Sequence, residues 1–177
     1  MIGTLSDLFR RLMAALTTWP SPGQWLAAAG VGLVALVLEG AIGLGGGLLR
    51  PAPSDWSVLP FSLALALVVP ALGEETVFRG VLIPSRGDSR DATLAILLST
   101  LAFVGWHVLE ALTFMRAAAP VFLRGDFLAT TAVLGLACGV LRHRTGSLWP
   151  AVALHWLEVA IWQIGFGGGQ VARALVP

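Results

Sequence analysis

Five apolar stretches, each long enough to cross a lipid bilayer, leave this chain little choice of environment. A transmembrane helix takes about 20 predominantly apolar residues, so five of them use about 100 positions. The chain has 177 residues, and what remains is short loops and one N-terminal segment. Composition agrees. The sequence is 56% hydrophobic and 12% charged, with a mean hydropathy of +0.84, whereas soluble domains are about 25% charged. The expectation is an all-α, polytopic transmembrane helical bundle forming a single membrane domain over residues 1–177, with spans at 24–49, 56–83, 92–114, 127–141 and 148–164.

Residues 1–19 differ from the rest. Ile2, Leu5, Leu8, Phe9, Leu12, Met13 and Leu16 recur at three- and four-residue steps, with Asp7, Arg10 and Arg11 elsewhere on the wheel. That pattern fits an amphipathic helix lying on the membrane surface. A signal peptide is the rival, but the apolar run after Arg11 is short and is broken by Thr17, Thr18 and Pro20. The 11 basic residues, all Arg, against 10 acidic ones form no basic run, so nucleic acid is not an expected partner. With the N-terminus in the cytoplasm the inner side holds Arg10, Arg11, Arg86, Arg90, Arg142 and Arg144, against Arg50, Arg116, Arg124 and Arg173 outside, a small excess that favours this orientation without fixing it. Cys138, the single cysteine, excludes an intrachain disulfide and a Cys-rich metal site, and reads as a packing thiol.

Ionisable residues inside apolar spans are costly and face the bundle interior or a hydrated cavity. The first span carries Glu39 and the glycines Gly40, Gly43, Gly45, Gly46 and Gly47, which either admit a neighbouring helix or mark a flexible helix end. Glu39 is expected to face the bundle or an interface, with no assigned chemistry. The second span carries Pro70, an expected kink, and then Glu74, Glu75 and Arg79. Glu75 and Arg79 are four apart and can pair on one helix face, leaving Glu74 free to act elsewhere. Alternatively the segment holds a structural salt bridge and one interface carboxylate. His107 lies in the third span and His155 in the fifth. An isolated intramembrane His is commonly a packing residue, but two of them and a carboxylate pair on three spans of a small bundle point to one shared polar cavity.

These residues also resemble a known family. E-E-T-V-F-R-G at Glu74–Gly80 matches the E-E-x-x-x-R motif of the CAAX-processing and bacteriocin-processing (CPBP, Abi-type) intramembrane glutamic or metallo-proteases, which include the type II CAAX prenyl endopeptidases. F-V-G-W-H at Phe103–His107 matches F-x-x-x-H, and Arg144–His155 resembles the stretch entering the third motif. The resemblance covers roughly Trp56–Ile164. It implies a membrane endopeptidase in which Glu74 activates water, His107 assists it, and His155 donates to the tetrahedral oxyanion. Glu75, Arg79, Phe103 and Glu158 are the expected supporting residues. The substrate class it implies is a membrane-anchored or lipid-modified protein or peptide, cut near its C-terminal end. The family's third motif, H-x-x-x-N, is broken by Val159. An oxyanion donor is worth about a hundredfold to a thousandfold in rate, and Glu158 or Gln163 are the candidates to replace it. Glu158 can do so only when protonated, and otherwise orients His155. Gln163 lies about 12 Å further along the helix axis.

Other readings compete. H-V-L-E at His107–Glu110 and H-W-L-E at His155–Glu158 each put an imidazole and a carboxylate three apart. With Glu74 or Glu75 they could hold zinc or a dinuclear centre, the widest set being Glu74, His107, His155 and Glu158. The zincin H-E-x-x-H is missing, so no cofactor is favoured and zinc is the alternative, with Glu110 read as a helix-end carboxylate. A serine mechanism lacks G-x-S-x-G, and the two R-G-D triplets at Arg86 and Arg124 read as loop residues. A non-enzymatic scaffold or immunity protein on the same fold is the remaining alternative. Compactness suggests a bacterial inner membrane, multi-pass, with the bilayer and an embedded substrate as partners.

Overall fold

A computed structural model describes residues 4–52, 56–89, 91–169 and 171. Ile2, Arg90 and Arg173, used in the sequence reading, lie outside the described residues. All regular structure there is helical, in seven helices with no strand. The surface helix α1 is Leu5–Thr17, and α2 is Pro22–Gly46. Helix α3 starts as an α-helix at Leu59–Ala66 and continues through π-helical turns, Leu67–Glu74 and Thr76–Val81. Helix α4 is Thr93–Leu112, α5 is the short Ala119–Phe122, α6 is Gly125–Thr145 and α7 is Trp149–Gly165. Four helices are long and apolar enough to cross a membrane: α2, α3 from Leu59 to Val81, α4 and α6. The fifth expected span, α7, has 17 residues, about 25 Å, just short of the roughly 30 Å hydrocarbon thickness.

Local chemistry sets the ends. Ser21 and Gln24 form a reciprocal capping box ahead of Pro22, and Thr4 with Asp7 do the same for α1. The first span stops at Gly46 rather than 49, because Gly47 takes φ +77° and closes the helix. The fourth is longer than 127–141. Arg142, His143 and Arg144 belong to α6 itself, Arg142 and His143 are buried, and Gly146 at φ +71° ends the helix. His143 is held there by a bond between its Nδ1 and the Pro84 carbonyl at 2.9 Å. Around Pro70 the backbone widens instead of simply kinking. Proline has no N–H and its ring collides with the carbonyl four residues back, and the looser π-helical turns absorb that conflict. The Phe78 carbonyl in this stretch is met by the Ser99 hydroxyl of α4 at 2.7 Å, the kind of re-satisfaction a membrane helix requires.

Helix α6 packs against α2, α4 and α7, and α7 packs against α3. At one end of the bundle the Leu148 N–H donates to the Ala15 carbonyl and the Trp149 indole to that of Leu16, docking α1. Arg86 N–H donates to the His143 carbonyl at the same end. At the other end Ala52 N–H reaches the Gly165 carbonyl and Arg124 that of Gly46. Among the α2 glycines, Gly32 meets Leu154 of α7. Gly43 makes room for Leu49, Gly46 for Asp126, while Gly40 and Gly45 face open space. The outward faces carry Leu33, Val37, Leu98 and Leu101, all mostly exposed. Such a girdle would aggregate in water and is the lipid-facing surface of an integral membrane protein.

Candidate active site

The interior of the bundle holds a cavity of about 650 Å3, reached by side chains from α2, α3, α4, α6 and α7. Glu74, His107 and His155 all line it. His155 sits between consecutive carboxylates of α3. Its Nδ1 lies 3.0 Å from Glu75 Oε1 and its Nε2 3.9 Å from Glu74 Oε2. Glu75 in turn meets Arg79 Nη1 at 3.0 Å, and both of these side chains are fully buried. The guanidinium lies 4.1 Å over the ring of Phe103, whose edge-on neighbours are His107 and His155 at 4.7 and 5.8 Å between centroids. Phe103 therefore packs against the Arg79 guanidinium and both imidazoles, and none of its surface is exposed.

Hydrogen bonds fix how each ring can act. Glu75, ionised against Arg79, only accepts, so His155 Nδ1 carries a proton and its Nε2 can donate only when the ring is an imidazolium. His107 Nδ1 lies 3.0 Å from the Phe103 carbonyl, which also only accepts. A neutral His107 consequently presents Nε2 as a bare acceptor to the cavity. Glu110 is in the last turn of α4, as its reading as a helix-end carboxylate has it, and is buried beside them: one ligand atom each from Glu74, His107 and Glu110 lie within 4.8 Å of one another. Glu74 Oε2 is buried without a hydrogen-bond partner, and the Trp106 indole N–H faces the Glu74 and Glu110 carboxyls without a closed bond to either.

The remaining candidates divide. Glu158 turns to Glu39 of α2, the two carboxyls within hydrogen-bonding reach, so it stands apart from the Glu74, His107, Glu110 group. Gln163 accepts at Oε1 from the Ser62 hydroxyl at 3.0 Å, and Val159 lines the cavity. Cys138 is fully buried, its thiol directed to the Ala151 carbonyl at 3.5 Å. Sequence reasoning missed Gly135. A Cβ there would sit 2.9 Å from Thr100 Cγ2 and 3.2 Å from Arg79 Nη2, so the bare backbone of α6 is what admits the guanidinium. Trp106 was missed too, and only its position next to His107 could have drawn attention to it.

No curated protein and no solved structure matches the chain. A family model does, described as Type II CAAX prenyl endopeptidase Rce1-like, over residues 55–161. The match runs from just before α3 to the turn of α7 beyond His155, taking in Glu74, Glu75, Arg79, Phe103, His107 and His155, and omits α1 and α2. With more than half of its length accounted for in this way, the chain belongs to the Rce1-like, type II CAAX prenyl endopeptidase family.

Proposed function

We propose that the chain hydrolyses a peptide bond inside the membrane, in a membrane-anchored or lipid-modified protein or peptide near its C-terminal end. Glu74, His107 and His155 are the catalytic residues. The observation that carries this reading is the polarity of the three groups: two acceptors, Glu74 and His107 Nε2, lie together, facing a potential donor, His155 Nε2. Water held by two acceptors has both protons engaged and a lone pair free. Glu74 takes one proton as the oxygen attacks the carbonyl carbon. The developing oxyanion receives the His155 Nε2 proton in a hydrogen bond. Collapse breaks the C–N bond, and the proton held by Glu74 passes to the leaving amine. Glu75 and Arg79 keep His155 oriented, and Phe103 packs the assembly. The setting we assign is a bacterial inner membrane, crossed several times by one membrane domain.

A metal-dependent version has one observation in its favour. Glu74, His107 and Glu110 bring three acceptors close together, one more than the protons of a single water can satisfy, and a zinc ion would satisfy all three. These residues could supply three ligands and leave a fourth position for water. In the metal-free version, which we favour, Glu110 carries a proton of its own.

Membranes bearing the wild-type chain or Glu74→Gln, compared by the protein fragments they accumulate, test the hydrolytic reading. Fragments present only with the wild type are expected. Identical fragment sets would leave the fold a scaffold.

A further inference from the structure

The cavity has a second acidic wall that hydrolysis does not use. Glu39 from α2 and Glu158 from α7 both line it, with their carboxyls in contact. Glu39 is only 8% exposed, and Oε1 of each side chain lacks a hydrogen-bond partner. Glu158 stands one turn along α7 from His155, so this wall adjoins the reacting centre rather than lying at a remote surface. It is also contributed partly by α2, outside the segment that matches the family.

Charge balance makes the pair unusual. Outside the cavity lining, Glu75 meets Arg79 and Asp126 meets Arg124. The described cavity lining contains four glutamates, at 39, 74, 110 and 158, together with two histidines and no arginine, and the chain has no lysine. Arg79 is spent on Glu75 behind the Phe103 ring. Two carboxyl groups in contact cannot both ionise in an apolar chamber, so the empty pair shares a proton. A cationic group can take that proton's place, the proton passing to water, and is bound by two carboxylates at once. The same cavity is lined by Leu36, Leu65 and Ile161, apolar surface suited to the methylene stem of a long basic side chain.

We propose that the Glu39–Glu158 wall is a subsite for a guanidinium or ammonium group of the substrate, an Arg or Lys side chain close to the scissile bond. This rests on the hydrolytic reading for the word substrate, but not for the binding itself. Its corollary is that a free C-terminal carboxylate is repelled from this wall, since every ionisable carboxyl around it has the same sign.

The detergent-solubilised full chain is titrated with n-hexylguanidinium, n-hexanol and n-hexanoate, with intrinsic tryptophan fluorescence as readout because Trp162 lines the cavity. Hexylguanidinium is expected to bind about tenfold or more tightly than hexanol, the factor one charge-assisted hydrogen bond carries, and hexanoate more weakly than either. The wild-type comparison needs no variant, so equal binding of hexylguanidinium and hexanol overturns the proposal outright. In the Glu39→Gln/Glu158→Gln double variant, with its folding verified by thermal unfolding, the guanidinium preference should disappear, and its persistence also overturns the proposal. In Glu74→Gln the preference should remain; its loss there would assign the attraction to the catalytic carboxylate instead. Fragment sets that do not depend on Glu74 would end the protease reading while leaving this binding measurement to stand or fall alone.

Discussion

Replacing Arg79 with leucine removes the cation from a pair whose two side chains have no exposed surface. Glu75 would keep only the bond with His155 Nδ1. Breaking one partner out of a buried ion pair costs about 3–5 kcal/mol. Loss of the guanidinium from the Phe103 face, now 4.1 Å away, contributes within that figure about 1–2 kcal/mol. A second change, Glu75→Gln, removes the stranded charge while its side-chain carbonyl still accepts from His155. The double variant should therefore recover at least half of the stability lost. Hydrolysis should not recover, because a neutral amide replaces the carboxylate that orients the His155 ring toward the oxyanion. The expected loss is about a hundredfold to a thousandfold. Reversible unfolding in mixed micelles reads the first quantity and fragment release in membranes the second. If Arg79→Leu stayed within about 1 kcal/mol of wild type, or the double variant were no more stable than the single, the pair would not be the keystone argued for.

The other expectations follow the same geometry. Gly135→Ala would force a Cβ to 3.2 Å from Arg79 Nη2; overpacking of that kind costs about 1–3 kcal/mol, and activity should fall with it. Gly105→Ala, where nothing lies within 4 Å, is the control and should gain up to about 1 kcal/mol from helix propensity. Val159→Asn, facing the cavity one turn after His155, should raise the hydrolysis rate by about tenfold or more as a further oxyanion donor; an unchanged rate would locate that donor elsewhere. Chelator treatment should leave activity intact and Glu110→Gln should retain it, whereas loss in both would favour the zinc version over water activation by Glu74 alone. Bonds from the Thr4 side chain and then its backbone hold the Asp7 carboxyl below its ordinary 3.8. A depressed carboxyl stabilises α1 above that pH and stops doing so as pH falls through its lowered value, so the helicity of a 1–19 peptide on vesicles should hold from neutral pH down to 3.8 and decline only below it.

Much of this was legible in the sequence because a membrane taxes polarity so heavily. Apolar run length gave the helices to within a few residues, and the penalty on buried charge singled out Glu74, Glu75, Arg79, His107 and His155 before any coordinates. What escaped depends on packing between helices. Glu110 looks like a helix-end residue by position, and only the way α4 rests on α3 turns it inward. Gly135 is one of 21 glycines, and nothing in its neighbours marks it as the one against a guanidinium. Glu39 and Glu158 are 119 positions apart, and their meeting required α2 and α7 to be seen side by side.

The widened turns of α3 connect these points. A regular α-helix running through Pro70 would meet a ring clash and a missing N–H midway along the span, just before the residues that carry the chemistry. By opening into π-helical turns from Leu67 onward, the chain keeps a continuous rod through Glu74 and Glu75 and lets two successive carboxylates reach opposite nitrogens of one imidazole. One of them is neutralised by Arg79 and fixes the ring; the other is left without a hydrogen-bond partner, facing the cavity. On the proposed mechanism, neighbouring residues of the same type acquire opposite tasks, support and reaction, from the partner each meets. Pro70 is the sequence feature that makes the backbone do so, and Pro70→Ala, by permitting a regular helix, should disturb the reach to His155 more than it disturbs the stability of the span.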